Sequence, residues 1–248
     1  MKKRRLFSLF LSFALLLPLF SLTSADAYED FDLDAKAGLL IEADTGEILY
    51  EKNAHQENYP ASLTKVMVAL LVFEAIDEGK IALTDSVTAT ESAFEGLSSD
   101  GSTANIVPGE TMTVEQLLNC MLIVSANEAC NILGETLYGS VDAFVARMNE
   151  RATELGCEHT HFANATGLHN SQHYTTAWDL YLITREALKH DKFMEICNSK
   201  SYTVPATNMT DKPRELHSTN FLISNWRARG YVYRDAQGIK TGSTPEAG

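Results

Sequence analysis

Basic residues are scarce in this sequence. Of its 248 residues, 20 are lysine or arginine and 33 are aspartate or glutamate, which gives a formal net charge of −13. A surface with this excess of negative charge repels phosphate backbones and anionic lipid headgroups, so we expect no nucleic-acid partner. Internal repeats and low-complexity linkers are also missing. The length therefore fits one large domain, or a domain with a small lobe.

Cysteine pairs of the kind that bind metals are missing too. None of the four cysteines forms a C-x-x-C pair, and their spacing does not match a zinc site. Cys120 and Cys130 fall in strongly apolar helical stretches, where a cysteine behaves as a small buried hydrophobe. Export would permit disulfides, but a chain of this length does not need them. We predict free buried thiols, and the sequence gives no disulfide connectivity.

The first 27 residues have the order of a secretory signal peptide. Four basic residues at positions 2–5 precede an apolar run over residues 6–22, and an A-x-A site ends at Ala27. The alternative is a retained membrane anchor, since the run approaches the ~20 residues that span a bilayer. Pro18 and the A-x-A site favour cleavage after Ala27, which leaves residues 28–248 as an exported domain. Removing four basic residues and one acidic residue changes the net charge to −16.

The exported part predicts a β-hairpin, then a helical block, then β-structure again. AGLLIEADTGEILYEK (residues 37–52) alternates apolar and polar residues around a turn at 44–46, which is typical of a hairpin. From Ser62 the apolar residues crowd a helix nearly all round, as in the centre of a domain. Start signals at Thr113 and Thr176 help to predict helices over 113–124, 127–138, 140–155 and 176–189. SYTVPATN and GYVYRDAQGIKTGS regain strand character, so the fold class is α+β, with an antiparallel sheet built from both ends of the chain.

The start of the helix at Ser62 has two interpretations. A serine there can be a helix cap, and an S-x-x-K spacing alone occurs by chance in many proteins. It can also be a nucleophile, because Ser62 and Lys65 are three residues apart and share one helix face. The free amides and the positive end of the helix dipole would then favour negative charge developing beside Ser62.

Two further motifs change this balance in favour of the nucleophile. IVSANEACN places Ser125 and Asn127 in a break between two predicted helices, and GIKTGST places a K-T-G motif near the chain end. The order S-x-x-K, S-x-N, K-T-G is the signature of active-serine enzymes that recognise penicillin. Three motifs in order are far more specific than any one of them.

With these motifs the chain, from about residue 34 to 248, resembles the low-molecular-weight penicillin-binding proteins that are D-alanyl-D-alanine carboxypeptidases. YPASLTKVM, VSANEACNILGE, FANATGLHNSQHYTTAWDL and GIKTGSTPEAG all look like segments of that family. Ala126 stands where glycine is common, which the chemistry tolerates because no side chain is needed there. The resemblance implies a β-lactamase/transpeptidase-like fold and a serine peptidase outside the cytoplasm. Its partners would be peptidoglycan stem peptides, with β-lactams as covalent inhibitors.

The resemblance also implies roles for the motif residues. Ser62 would attack the carbonyl between two D-alanines, and Lys65 would be its base, provided that burial and a second cation at Lys240 lower the pKa of Lys65. Ser125 would relay protons and Asn127 would orient Lys65 and the substrate amide. At the other side of the substrate we expect a carboxylate and oxyanion site made of Lys240, Thr241, Gly242 and the backbone N–H of Ser243.

Two other functions fit the same motifs. A serine β-lactamase of class A type needs a glutamate that activates water between the second and third motifs, and Glu215 is the one candidate in a loop-like stretch. A pseudoenzyme that only binds cell-wall peptides is the non-enzymatic alternative. Four histidines crowd one polar stretch, but the chemistry needs no metal or cofactor, so we predict neither; they are His159, His161, His169 and His173.

The resemblance carries one expectation about the end of the sequence. In the family, the K-T-G strand lies at the edge of a five-stranded antiparallel sheet and reaches the N-terminal hairpin through two later strands. Only six residues follow Gly242. We therefore expect the natural protein to continue past Gly248, where a membrane-anchoring tail could follow. Residues 28–248 alone would then be an incomplete catalytic domain with weak or no activity.

Overall fold

The computed structural model describes residues 33–247. The predicted signal peptide, residues 1–27, lies outside the described residues. Between residues 33 and 247, no helix combines the length and the apolar character that crossing a membrane requires.

An apolar helix occupies the centre of the domain. A short 3₁₀ turn, Ala61–Thr64, leads directly into α1, Lys65–Asp77. Ten of the 13 residues of α1 are buried, including every residue from 65 to 73. Because a helix that is apolar on all sides has no face to offer to water, it packs within the other helices, as predicted. Ser62 itself lies in the 3₁₀ turn, so the α-helix begins three residues after the predicted start.

Five more helices surround α1. Thr113 caps the first of them through a capping box with Gln116, and Ser140 and Thr176 cap two others through their hydroxyl groups. The four predicted helices occur with ends within two residues of the prediction, and a short fifth one was missed. The helices are α2, Val114–Ile123; α3, Asn127–Tyr138; α4, Val141–Glu154; α5, Ala177–Ala187; and α6, Asp191–Cys197.

The strands form three separate antiparallel pairs in the described residues. The predicted hairpin is present as β1 and β2, and SYTV forms β5. The expectation of one sheet built from both ends of the chain is wrong for residues 33–247, because each strand pairs only within its own pair. The strands are β1, Gly38–Ile41; β2, Ile48–Lys52; β3, Ser86–Thr88; β4, Thr111–Thr113; β5, Ser201–Val204; and β6, Arg214–His217.

The K-T-G segment does not form a strand, contrary to prediction. Strands need a neighbouring backbone for their N–H and C=O groups, and no backbone–backbone hydrogen bond joins residues 239–243 to any other described segment. Side chains hold the segment instead. The Thr219 and Thr241 hydroxyls are 2.7 Å apart, and Asn198 Oδ1 accepts a hydrogen bond from the Gly238 N–H at 2.6 Å. The segment nevertheless reaches the turn that carries Ser62.

The four cysteines are buried and free, as predicted. Burial raises the pKa of Cys130 to about 11 and the pKa of Cys157 to about 12, so both thiols are uncharged at neutral pH. They pack as small hydrophobic side chains.

Candidate active site

Ser62 and Lys65 meet at the junction of the 3₁₀ turn and α1. Their side chains are three residues apart on one face, and the Lys65 Nζ lies 3.0 Å from the Ser62 Oγ. Ala61, immediately before the serine, has a φ of +48°, a conformation that costs a residue with a side chain free energy. The turn is therefore held in a strained shape that places the serine above the lysine.

Lys65 is completely buried, and its amine contacts three oxygen atoms. Besides Ser62, its Nζ contacts Asn127 Oδ1 at 2.9 Å and the Thr166 carbonyl oxygen at 2.5 Å. Burial lowers the pKa of Lys65, as predicted, and the Cys130 and Glu128 side chains act in the opposite direction. A lowered pKa increases the fraction of Lys65 that is a neutral amine, and only the neutral amine can accept the proton of Ser62.

The S-x-N motif forms the break between α2 and α3. Ser125 has a φ of +67°, and the chain re-enters a helix at Asn127, whose N–H donates to the Ser102 carbonyl at 2.9 Å. Ser125 is buried, and its Oγ has no hydrogen-bond partner among residues 33–247. A buried hydroxyl without a partner is costly, and such groups are common at functional sites. The side-chain carbonyl oxygen of Asn127 accepts a hydrogen bond from Lys65 at 2.9 Å.

The K-T-G segment approaches the nucleophile from the other side. A Cβ on Gly242 would lie 3.1 Å from the Ser62 backbone nitrogen and 3.0 Å from the Pro60 carbonyl oxygen. Only glycine therefore leaves the space in front of the Ser62 N–H open. Lys240 donates from Nζ to the Thr241 carbonyl at 2.8 Å.

One cleft collects most of the predicted residues. It has a volume of about 550 Å³, and Ser62, Ser125, Thr241, Gly242 and Ser243 all line it. Lys65 and Asn127 lie below Ser62, joined to it by the hydrogen bonds described above. The structure thus brings the three motifs together, although they are spread over about 180 residues of sequence.

Burial lowers the pKa values of both lysines of the site. Burial, and to a smaller extent the positive charge of Lys65, lowers the pKa of Lys240 to about 7. That the charge of Lys240 also lowers the pKa of Lys65 stays a prediction. A carboxylate bound beside Lys240 would raise its pKa again, so the site gains a cation when an anionic ligand arrives.

Several residues around the site gave little or no signal in the sequence. The Thr166 carbonyl is a backbone atom, so no side-chain pattern reveals it. Glu128 is buried and accepts hydrogen bonds from the Thr103 hydroxyl at 2.7 Å and the Ala104 N–H at 2.8 Å. Its one signal in the sequence was an acidic side chain in the first turn of a predicted helix. Phe221 and Tyr231 also line the cleft. Tyr231 lies in the segment predicted as a strand, and Phe221 lies before it.

The crowded histidines have separate partners. His159 lies 3.4 Å from a Glu57 carboxylate oxygen, and His169 packs edge-on against Tyr59. His173 alone is deeply buried, with its Nε2 2.7 Å from the Thr64 hydroxyl.

The fold and the three motifs together define the class of active-serine, penicillin-recognising proteins. The profile of one family, described as D-alanyl-D-alanine carboxypeptidase, matches residues 23–248. The chain belongs to this family, as the resemblance predicted.

Relatives and solved structures support the assignment. D-alanyl-D-alanine carboxypeptidase DacF of Bacillus subtilis is 40% identical over 214 residues, which cover 86% of this chain and 52% of that protein. DacA of Escherichia coli is 33% identical over 221 residues, 87% of this chain and 51% of that protein. The chain thus spans about half the length of these curated relatives. A Streptomyces DD-transpeptidase structure, 30% identical, superposes with a TM-score of 0.77 over 88% of this chain and 84% of its own, which confirms the transpeptidase-like fold.

Proposed function

We propose that the protein is a serine-type D-Ala-D-Ala carboxypeptidase that removes the terminal D-alanine from peptidoglycan pentapeptide stems. The observation that carries the proposal is the buried amine of Lys65, 3.0 Å from the Ser62 hydroxyl and 2.9 Å from Asn127. A lysine placed in this way serves no evident packing purpose, whereas it can take a proton from a serine nucleophile. The names of the relatives point to the same reaction.

In the acylation step, Lys65 acts as the neutral amine. Its two N–H bonds suffice for Asn127 and the Thr166 carbonyl, which leaves its lone pair facing the Ser62 Oγ. The Ser62 hydroxyl donates its proton to this lone pair while Oγ attacks the carbonyl carbon between the two D-alanines. The C–N bond then breaks, and the proton held by Lys65 passes to the leaving amine through Ser125, which accepts one proton and gives up another. Water later hydrolyses the ester on Ser62 and restores the enzyme.

The negative charge that develops on the substrate's carbonyl oxygen during the attack needs hydrogen-bond donors. The backbone N–H groups of Ser62 and Ser243 would bind the oxyanion, and the open space at Gly242 lets the substrate carbonyl reach them. Lys240 and the Thr241 hydroxyl would bind the terminal carboxylate. Thr241 is already held 2.7 Å from the Thr219 hydroxyl, which fixes its orientation.

The place of action follows from the substrate. Peptidoglycan lies outside the cytoplasm, and the signal-peptide pattern of residues 1–27 is consistent with export to the outer face of the cell membrane. Stem peptides are the natural partners, and β-lactams mimic them as covalent inhibitors of Ser62. Anchoring by a C-terminal tail remains part of the proposal.

The β-lactamase alternative has no supporting observation. Its candidate water-activating residue, Glu215, lies on β6, where it accepts a hydrogen bond from Thr203 across the strand pair at 2.7 Å. The pseudoenzyme alternative leaves the buried contact between Lys65 and Ser62 without a purpose.

The test is release of D-alanine by the full-length protein from a peptide ending in Lys-D-Ala-D-Ala. We expect catalytic turnover, together with slow and stable acylation by benzylpenicillin. Rapid turnover of benzylpenicillin would indicate a β-lactamase instead. Binding of the peptide without D-alanine release or acylation would indicate the pseudoenzyme.

A further inference from the structure

Three hydrogen bonds form a continuous series beside the 3₁₀ turn Ala61–Thr64, which carries Ser62 and is called the nucleophile turn below. The Ala163 N–H donates to His173 Nδ1 at 3.0 Å. On the other side of the ring, His173 Nε2 lies 2.7 Å from the Thr64 hydroxyl, and that hydroxyl donates to the Ala61 carbonyl oxygen at 2.8 Å. The series joins two segments about 100 residues apart and ends at the residue that precedes Ser62.

The two ends of the series fix every proton between them. A backbone N–H can only donate, so Nδ1 of His173 must carry a lone pair, and the ring proton must be on Nε2. A carbonyl can only accept, so the Thr64 hydroxyl must donate to Ala61 and accept from His173. One neutral tautomer of His173 satisfies all three bonds, and a second proton on Nδ1 would face the Ala163 N–H.

The surroundings of the ring favour that neutral form. His173 is buried, and the edge of the ring meets Phe162 at a centroid distance of 5.6 Å. Burial lowers the pKa of His173 to about 4, and the charges of His161, Lys65 and His169 act in the same direction.

The series ends at Ala61, a strained residue next to the nucleophile. Ala61 has a φ of +48°, and such conformations persist only where the surrounding structure holds them. The same loop that supplies Ala163 also supplies the Thr166 carbonyl to Lys65. One loop thus reaches both the nucleophile turn, through His173, and the base.

We infer that His173 is a positioning residue for the acylation reaction, holding the Ala61–Ser62 turn in its reactive shape through the Thr64 hydroxyl. This inference rests on the proposed function, because it assigns a purpose to the turn only if Ser62 is the nucleophile. His173 does not line the cleft, and its hydrogen-bond partners are Thr64 and Ala163, so it acts through the turn and not on the proton that leaves Ser62.

Paired variants of the full-length protein test each bond of the series. Thr64→Val removes the hydroxyl and keeps the shape, and His173→Asn keeps an acceptor for Ala163 but loses the donor to Thr64. We expect both to lower the acylation rate constant at saturating benzylpenicillin by roughly 10- to 100-fold, without weakening the initial non-covalent binding. Thr64→Ser and His173→Gln keep the donating groups and should recover most of the rate. His159→Gln, at an exposed histidine, is the matched control and should acylate like the unaltered protein.

A nitrogen-detected NMR spectrum of the imidazoles of the unaltered protein gives a readout that needs no activity. We expect His173 to be neutral at pH 7 with its proton on Nε2. A proton on Nδ1, or full acylation rates in folded Thr64→Val and His173→Asn, would overturn the inference. If the unaltered protein is not acylated at all, the proposed function fails, and the NMR result still decides whether the hydrogen-bond series exists.

Discussion

Among glycine-to-alanine substitutions, the one at Gly167 should disturb the nucleophile turn most. Gly167 has a φ of +85°, and a Cβ there would lie 1.9 Å from the Ala61 carbonyl oxygen and 3.0 Å from the Ser62 nitrogen. Because real Cβ atoms do not approach other atoms closer than 3.0 Å, the two segments must separate by about 1 Å. The separation therefore displaces the turn that carries Ser62.

The magnitude has two parts. A left-handed conformation costs alanine about 1 to 2 kcal/mol relative to glycine. Overpacking against a fixed backbone adds about 1 to 3 kcal/mol, which brings the loss in the free energy of unfolding to about 2 to 5 kcal/mol. A displacement of about 1 Å at a reacting group lowers the rate by roughly 100-fold, so acylation should slow by a similar factor.

Gly156 supplies the matched control. Its φ is +81°, and a Cβ there would meet nothing within 4 Å. Gly156→Ala should therefore lose only the conformational part, about 1 to 2 kcal/mol, and acylate at the normal rate. Urea unfolding and stopped-flow acylation by a fluorescent penicillin measure both effects. Equal stability losses in the two variants, with a normal acylation rate in Gly167→Ala, would refute the reasoning.

Four further substitutions probe the roles of residues in and around the site. Lys65→Arg should lower the acylation rate by about 100- to 10,000-fold, because guanidinium cannot accept the Ser62 proton, whereas Lys240→Arg keeps a cation and part of the activity; equal rates in the two variants would show the roles to be misassigned. Glu128→Gln removes a carboxylate that raises the pKa of Lys65. The rising limb of the acylation rate against pH, where Lys65 loses its proton, should therefore move to lower pH, and a shift to higher pH would contradict this sign. Gly242→Ala should slow acylation with little loss of thermal stability, because its Cβ would occupy the space before the Ser62 N–H; a normal rate would exclude an oxyanion site there.

The helical part of the fold was readable from the sequence because its signals are local. Thr113 with Gln116, and Thr176 at the start of α5, mark helix starts by side chains within one turn. The hairpin was also predictable, because apolar and polar residues alternate on both sides of a short turn. Strands β3 and β4 have three residues each, too few for alternation to stand out, and their pairing depends on distant sequence.

The motif residues of the site were readable for a different reason. Their spacing and order are specific, so Ser62, Lys65, Asn127 and the K-T-G residues could be named before their geometry was known. Strand character at K-T-G was misjudged because a strand depends on a partner that local sequence does not reveal. His173 was found only as one of four crowded histidines, since its partner Thr64 lies 109 residues earlier.

The central claim is that Ser62 is the nucleophile, and the site of covalent labelling tests it most directly. The full-length protein is incubated briefly with benzylpenicillin, digested, and the mass of each peptide is measured. We predict one adduct of the mass of the intact drug, on the peptide that contains Ser62, and none in folded Ser62→Ala. An adduct on a different residue, or equal labelling of Ser62→Ala, would contradict the account.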